Sequence, residues 1–303
     1  MAVLLDGGFS SQLKKHVGVD EKVLAEKPLW CAEFLVTDPE AVCNAHSDYV
    51  EAGCEIISTN TYQASVDGFQ KYLNLDRQQS LDLIKEAVVL ARKAVNKSEN
   101  GSSVLVAGSV GPYGASLHDG SEYRGEYIES TTQQQLMDWH RPRIQALVEA
   151  GVDLLAVETI PAVGEAVAVL TLLKNEFPNQ KAWISFTCKD GLHLSHGETF
   201  REAVAQCCQT NRDQLVAVGS NCSNPVFISS LLKSAQEQQV PFIVYPNSGE
   251  AWDSDAGWTN KDACVPLTHY IPEWISLGAK YIGGCCRTTA EDIRLCRKYL
   301  DTL

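Results

Sequence analysis

Ala150-Gly151-Val152-Asp153-Leu154-Leu155-Ala156-Val157-Glu158-Thr159 reads as a complete structural junction. A small-residue pair closes an amphipathic helix, because glycine accepts the left-handed cap conformation. A short apolar run of strand length follows, and it ends on a carboxylate and a hydroxyl. Apolar residues then return at three- and four-residue spacing over Val163–Phe177, which predicts the next helix. The same kind of turn recurs at Ala52-Gly53 and at Leu277-Gly278-Ala279.

Extended outward, this rhythm covers the chain. Strands are predicted at Val3–Asp6, Glu55–Thr59, Val104–Ser109, Leu154–Glu158, Ala182–Thr187, Ala217–Asn221, Phe242–Tyr245 and Tyr281–Gly283. Helices are predicted at Pro39–Ala52, Arg77–Val95, Thr132–Ala150, Val163–Phe177, Phe200–Gln209, Pro225–Gln238, Val265–Leu277 and Ala290–Leu300. Eight such units in 303 residues, with mostly short connections, predict an α/β fold: a single (β/α)8 TIM barrel, one domain over 1–303. A doubly wound sheet is the alternative. Against it, Asp6-Gly7-Gly8-Phe9 follows the first strand, where a dinucleotide fold would carry Gly-x-Gly-x-x-Gly.

Composition fits a large packed core, with 45% hydrophobic and 21% charged residues. A formal net charge of −13 argues against nucleic acid, which needs a basic face. No apolar run approaches the ~20 residues of a membrane helix, and the opening reaches Asp6 too soon for a signal peptide. A soluble, cytoplasmic protein is expected. Eleven cysteines, an odd number, do not suggest a disulfide framework. Cys31, Cys43, Cys54, Cys188, Cys264 and Cys296 read as small buried hydrophobes. Cys207-Cys208 lies in a helical pattern, where neighbours diverge by ~100°, and reads as structural too.

Barrel active sites form at the carboxyl ends of the strands. Those ends collect Asp6-Gly7-Gly8, Thr59-Asn60, Ser109-Val110-Gly111, Glu158-Thr159, Asn221-Cys222, Pro246-Asn247-Ser248 and Gly284-Cys285-Cys286. Cys222 lies 63 residues before Cys285, so no local metal knuckle is possible. The ends of strands six and eight nevertheless flank strand seven on one rim. A three-sulfur site there suits Zn2+ and leaves a fourth position open. Adjacent residues of a regular strand point to opposite faces, so Gly283-Gly284 is expected to supply the unusual dihedrals that turn both sulfurs one way. From the pattern alone, buried packing or a vicinal disulfide fits these thiols as well as zinc.

Gly283-Gly284-Cys285-Cys286, Gly219-Ser220-Asn221-Cys222 and Leu5-Asp6-Gly7-Gly8 together resemble the homocysteine S-methyltransferase family. So do Lys27-Pro28-Leu29-Trp30, Thr59-Asn60-Thr61-Tyr62-Gln63-Ala64, Gly108 to Ala115, Asp119 to Gly125 and Tyr245 to Gly249, in the family's order over nearly the whole chain. The resemblance implies a zinc barrel whose ligands are Cys222, Cys285 and Cys286, methylating the thiol of homocysteine to give methionine. The segment Gly108–Gly125 looks closest to the branch using S-methylmethionine or S-adenosylmethionine. With no cobalamin or folate module after the barrel, the chain looks unlike complete methionine synthases.

On this reading Glu158 is the candidate counter-charge for the homocysteine ammonium, with Asp6 and the backbone near Gly7 beside it. Thr59 and Ser248 are candidate donors to its carboxylate, and Asn221 orients the site through its amide. For a sulfonium donor, which offers no hydrogen at sulfur, Trp30 is the leading aromatic candidate and Tyr62, Tyr113 and Trp252 are weaker ones. Asp119 and Arg124, in a polar loop with Glu122 and Tyr123, are expected to bind the donor's amino-acid end. No catalytic residue is expected beyond the zinc site, and none of the seven histidines forms a metal-spaced motif. The partners expected are homocysteine and a methyl-sulfonium; betaine as donor, a selenohomocysteine or selenocysteine acceptor, a zinc hydrolase and a zinc- or redox-responsive thiol protein are the alternatives.

Overall fold

The computed structural model describes every residue except 1, 20–22, 25–26, 99–100, 254–256 and 262–263, and side chains are also left undescribed at 102, 251–253 and 257–258. Strands β1 (Val3–Leu4), β2 (Ile56–Ser58), β3 (Leu105–Val110), β4 (Leu154–Ile160), β5 (Ala182–Phe186), β6 (Leu215–Asn221) and β7 (Phe242–Tyr245) alternate with helices. A hairpin of β8 (Ala251–Asp253) and β9 (Gly257–Thr259) precedes β10 (Ala279–Ile282). Hydrogen bonding orders the main sheet β1-β10-β7-β6-β5-β4-β3-β2, all pairs parallel. A parallel bridge from Leu5 to Ile56 joins the two edges, so the sheet closes into a (β/α)8 barrel.

Local chemistry sets the helix ends. Asp38 accepts from the backbone N–H of Ala41 at 3.0 Å ahead of Pro39, whose fixed φ suits the first helical position. Asp76 and Thr132 begin the helices Arg77–Lys97 and Gln133–Glu149 with reciprocal capping boxes. Inside the barrel, Leu5, Ile56, Ala107, Ala156, Trp183, Ala217, Ile243 and Tyr245 form one buried cluster. Its small residues face the large ring of Trp183, whose indole N–H donates to the Tyr245 hydroxyl at 2.9 Å. The interior below the rim is therefore filled with side chains.

The expected units are present with altered edges. The helix expected at Val265–Leu277 is confined to Ile271–Ser276, behind a 3-10 turn at Leu267–His269. Pro266 explains the delay, since the residue before a proline is driven out of the helical region. The helices Phe9–Val17 and Val66–Leu73 and the β8–β9 hairpin are additions. Among the described residues, no helix is long and apolar enough to cross a membrane.

Candidate active site

Cys222 stands one residue past β6, and Cys285 and Cys286 stand just past β10. Their three sulfurs lie within 4.8 Å of one another, and Cys222 Sγ is 3.3 Å from Cys286 Sγ. Three corners of a tetrahedron with ~2.3 Å metal–sulfur bonds would be roughly 3.8 Å apart. The observed spread brackets that value, so the cluster fits a metal of zinc's size and softness. No histidine or carboxylate joins it among the described residues.

The way the sulfurs converge differs from the dihedral explanation. Neither Gly283 nor Gly284 adopts a positive φ. The cysteine pair lies beyond the strand, where the two-residue alternation no longer applies. The glycines are instead required for close approach. A Cβ on Gly283 would lie 2.6 Å from Leu5 Cβ, and one on Gly284 would lie 2.1 Å from Thr288 Oγ1. That threonine hydroxyl donates to the Cys285 carbonyl at 2.7 Å, while the Cys285 N–H reaches the Pro246 carbonyl at 2.8 Å. The left-handed backbone belongs to Cys222 itself, at φ 48°.

A cavity of about 130 Å³ opens beside the sulfurs, against roughly 10–15 Å³ for a single water. It can admit a small organic molecule. Asp6, Gly7, Trp30, Thr59, Tyr62, Tyr123, Glu158, Tyr245 and the three cysteines are on its wall, and among the described residues no lysine or arginine is. Burial pushes the Asp6 carboxyl up to about 8, with Glu158 nearby adding to the rise and the Ser58 N–H, 2.7 Å away, opposing it. Burial likewise pushes Glu158 up to about 7, opposed by hydrogen bonds from Ser109 and Tyr245. The bare thiols divide unequally: hydrogen bonds from Cys285 and Cys286 hold Cys222 well below the usual thiol range, and Cys285 is pushed up by making them. A site lined by carboxyls and thiols, with no cation on its wall among the described residues, suits a positively charged ligand.

Backbone strain collects here. Trp30, Thr159 and Cys222 all line the cavity with positive φ, at 44°, 59° and 48°. For a β-branched residue such as Thr159 this is unusual, and it persists only where the surroundings enforce it. Asn221 enforces it: its Oδ1 accepts from the Thr159 N–H at 2.7 Å and its Nδ2 donates to Thr159 Oγ1 at 2.8 Å. The same amide stands 3.9 Å from Cys285 Sγ, so Asn221 ties the carboxylate strand to the thiol loop.

The other expected residues divide. The Thr59 hydroxyl accepts from the Ser109 N–H at 3.0 Å and pairs with Thr61 Oγ1 at 2.7 Å. Since Thr61 spends its proton on the Ser109 carbonyl, Thr59 must donate to Thr61, and its proton is committed within the wall. Ser248 is off the cavity wall; its N–H holds the Cys286 carbonyl at 3.1 Å. Asp119 and Arg124 are half exposed, 4.0 Å apart, and also off the wall. The Asp119 carboxylate turns back to the Ser121 N–H at 2.9 Å, a local turn that leaves it facing outward. Their loop sends Tyr123 inward instead, its hydroxyl 3.5 Å from Cys222 Sγ. Tyr113 packs edge-on to Trp139 outside the cavity, and the Trp252 side chain lies outside the described residues. Cys31 does more than fill core, since it lines the cavity and its carbonyl accepts from Asn60 Nδ2 at 2.8 Å. Cys264 is only half buried. Ser109, Tyr245 and Gln63 line the cavity without having an assigned role in the sequence reading; the strand-end position of Ser109 and the family-like stretches holding Gln63 and Tyr245 are the signals that point to them.

Comparison with known proteins agrees with this geometry. The family model described as homocysteine S-methyltransferase matches residues 3–300. The betaine-homocysteine S-methyltransferase of Drosophila melanogaster is 44% identical, over 98% of this chain and 93% of its own. The homocysteine S-methyltransferase of Escherichia coli is 43% identical, over 96% and 93%. The crystal structure of the metallated form of the homocysteine methyltransferase MmuM from Escherichia coli superposes with a TM-score of 0.85 at 39% identity, covering 98% of this chain and 96% of that one. The resemblance carried by the cysteine and glycine motifs is thus borne out over the length of the barrel, and the chain is a methyltransferase that belongs to the homocysteine S-methyltransferase family.

Proposed function

We propose that this chain transfers a methyl group from a sulfonium donor, S-methylmethionine foremost, to the thiol of homocysteine, with zinc held by Cys222, Cys285 and Cys286. The observation that carries the reading is the meeting of three thiols with two carboxyls, Asp6 buried and Glu158 partly so, in one small cavity. Zinc bound to the three sulfurs would supply a Lewis acid with an open position, which lets a substrate thiol ionise near neutral pH.

The residues account for the rest. Glu158 and Asp6 carry the counter-charge for the homocysteine ammonium, and binding a cation relieves their mutual repulsion. The backbone at Gly7 and the first turn of Phe9–Val17 face the substrate carboxylate, where helix N–H groups favour an anion. Thr59, Asn221 and Ser248 act at one remove, by bracing the wall and the thiol loop. Held this way, the thiolate attacks the donor methyl in line, and the donor leaves as a neutral thioether that needs no proton. No general acid is required of the chain.

Two features support a sulfonium amino acid as donor. The buried Trp30 indole N–H and Gln63 Oε1, both on the cavity wall, have no hydrogen-bond partner among the described residues. Glu122, buried in the loop ahead of Tyr123, has an oxygen in the same condition. An unpaired acceptor on the wall, which Gln63 Oε1 offers, suits an N–H donor, which the ammonium of S-methylmethionine has and the trimethylated nitrogen of betaine lacks. Initial rates with homocysteine and zinc-loaded protein, using S-methylmethionine, S-adenosylmethionine, betaine and methyl-folate in turn, test the reading. The sulfonium amino acid should be fastest, and faster turnover of betaine at equal concentration would refute the donor.

A further inference from the structure

Behind the cavity wall lies a chain of fully buried polar groups that the transfer chemistry does not use. Arg143, on the helix Gln133–Glu149, is 2% exposed. Its Nη1 donates to the carbonyls of Tyr62 at 3.0 Å and Ala64 at 3.3 Å, and its Nη2 donates to the Gly111 carbonyl at 2.6 Å. Nη2 also lies 3.0 Å from His140 Nδ1, and His140 Nε2 lies 2.8 Å from Glu165 Oε1. Since the arginine only donates, His140 must accept at Nδ1 and carry its proton at Nε2. Glu165 also accepts from the Tyr113 N–H at 2.6 Å and from the Tyr127 hydroxyl. His140 and Glu165 are completely buried.

The three carbonyls that Arg143 gathers belong to the loops after β2 and β3, and Tyr62 and Gly111 meet directly. A Cβ on Gly111 would lie 2.7 Å from the Tyr62 ring, so the ring rests on that backbone. Tyr62 is on the cavity wall. A buried guanidinium is costly to desolvate, and apolar packing would hold a helix to a barrel at less cost. Burial pulls this one down to about 10, and it remains charged at neutral pH. Its value is the planar fork, which reaches separate carbonyls from one fixed point.

We infer that Arg143, backed by His140 and Glu165, is the positioning residue for the Tyr62–Gly111 wall and thereby for the methyl donor's subsite. The donor part rests on the proposed function, which sets the donor against Gln63, the residue between the Tyr62 and Ala64 carbonyls that Arg143 holds. Small displacements of such a wall cost far more in productive geometry than in folding.

The test compares zinc-loaded parent, Arg143→Lys and Glu165→Gln for donor KM at saturating homocysteine, for homocysteine Kd by calorimetry and for zinc content. Lysine keeps the charge and loses the fork. The expected result is a donor KM raised about tenfold or more, with homocysteine Kd within twofold and zinc at the parent's level. Glu165→Gln, which keeps the shape and weakens the anchor, should shift donor KM the same way and less, and decides the matter should Arg143→Lys not fold. A donor KM within twofold of the parent in the folded variants, or equal loss of both substrates, overturns the inference. KM is measured with whichever donor the parent uses, so failure of the sulfonium reading would leave this comparison standing.

Discussion

Replacing Glu158 by glutamine removes one charge from the cavity while keeping an oxygen that the Ser109 hydroxyl can donate to. Burial raises this carboxyl from 4.5 to about 7. At 1.36 kcal/mol per unit, keeping it ionised in the empty cavity costs about 3 kcal/mol at most, and the half-open cavity lowers the figure. The sign follows from proton binding. The folded protein holds this proton more tightly than the unfolded chain, so the group's contribution to stability is full below about 4.5 and declines as pH rises through about 7. Glu158→Gln should therefore raise the Tm of the substrate-free protein at pH 8 by several degrees. Homocysteine binding should move the opposite way, because the ammonium loses its counter-charge. A buried charge pair broken from one side costs on the order of 2–5 kcal/mol, or roughly 30-fold to several thousand-fold in Kd. Calorimetry at pH 8 on zinc-loaded protein, paired with thermal melts of the substrate-free form, reads both effects. Parent affinity should also fall more steeply than the variant's below about pH 7, by up to tenfold more per pH unit, because Asp6 and the substrate thiol titrate in both and Glu158 only in the parent. An unchanged Kd, or loss of zinc along with the charge, would refute the role given to Glu158.

Cys285→Ala should lose stoichiometric zinc while keeping the barrel's circular dichroism; full zinc by elemental analysis would remove it from the ligand set. Gly284→Ala should lower zinc affinity at least tenfold, because the added methyl must displace the Thr288 hydroxyl that holds the Cys285 carbonyl, and a titration against a chelator reads it. Arg124→Ala, half exposed and off the wall, should change the donor KM less than twofold, whereas Tyr123→Phe should change it more. Steady-state kinetics with the two variants side by side would reverse this assignment if Arg124→Ala proved the more damaging.

The barrel is legible because its signal is repeated: three helices end in a small-residue turn, and each strand is a short apolar run. Once the strands are counted, the convergence of Cys222, Cys285 and Cys286 follows from topology. Finer features escaped for identifiable reasons. Left-handed backbone is ordinarily sought at glycine, yet here it falls on Trp30, Thr159 and Cys222, whose side chains the cavity uses. Gly283-Gly284 marks the thiol loop in the sequence, but lack of space and not dihedral freedom excludes a side chain there. Asp119 and Arg124 share a loop with Tyr123, and composition cannot tell which residue of a tight turn points inward. Arg143 looks like one more charged residue in an amphipathic helix, and only the packed structure reveals what its guanidinium holds.

Zinc-edge X-ray absorption on the purified enzyme, before and after adding homocysteine, tests the central claim most directly. The account predicts three sulfur ligands at ~2.3 Å without substrate and four with it, the fourth supplied by homocysteine. Nitrogen or oxygen ligands in place of the cysteine sulfurs, or a shell that homocysteine leaves unchanged, would contradict it.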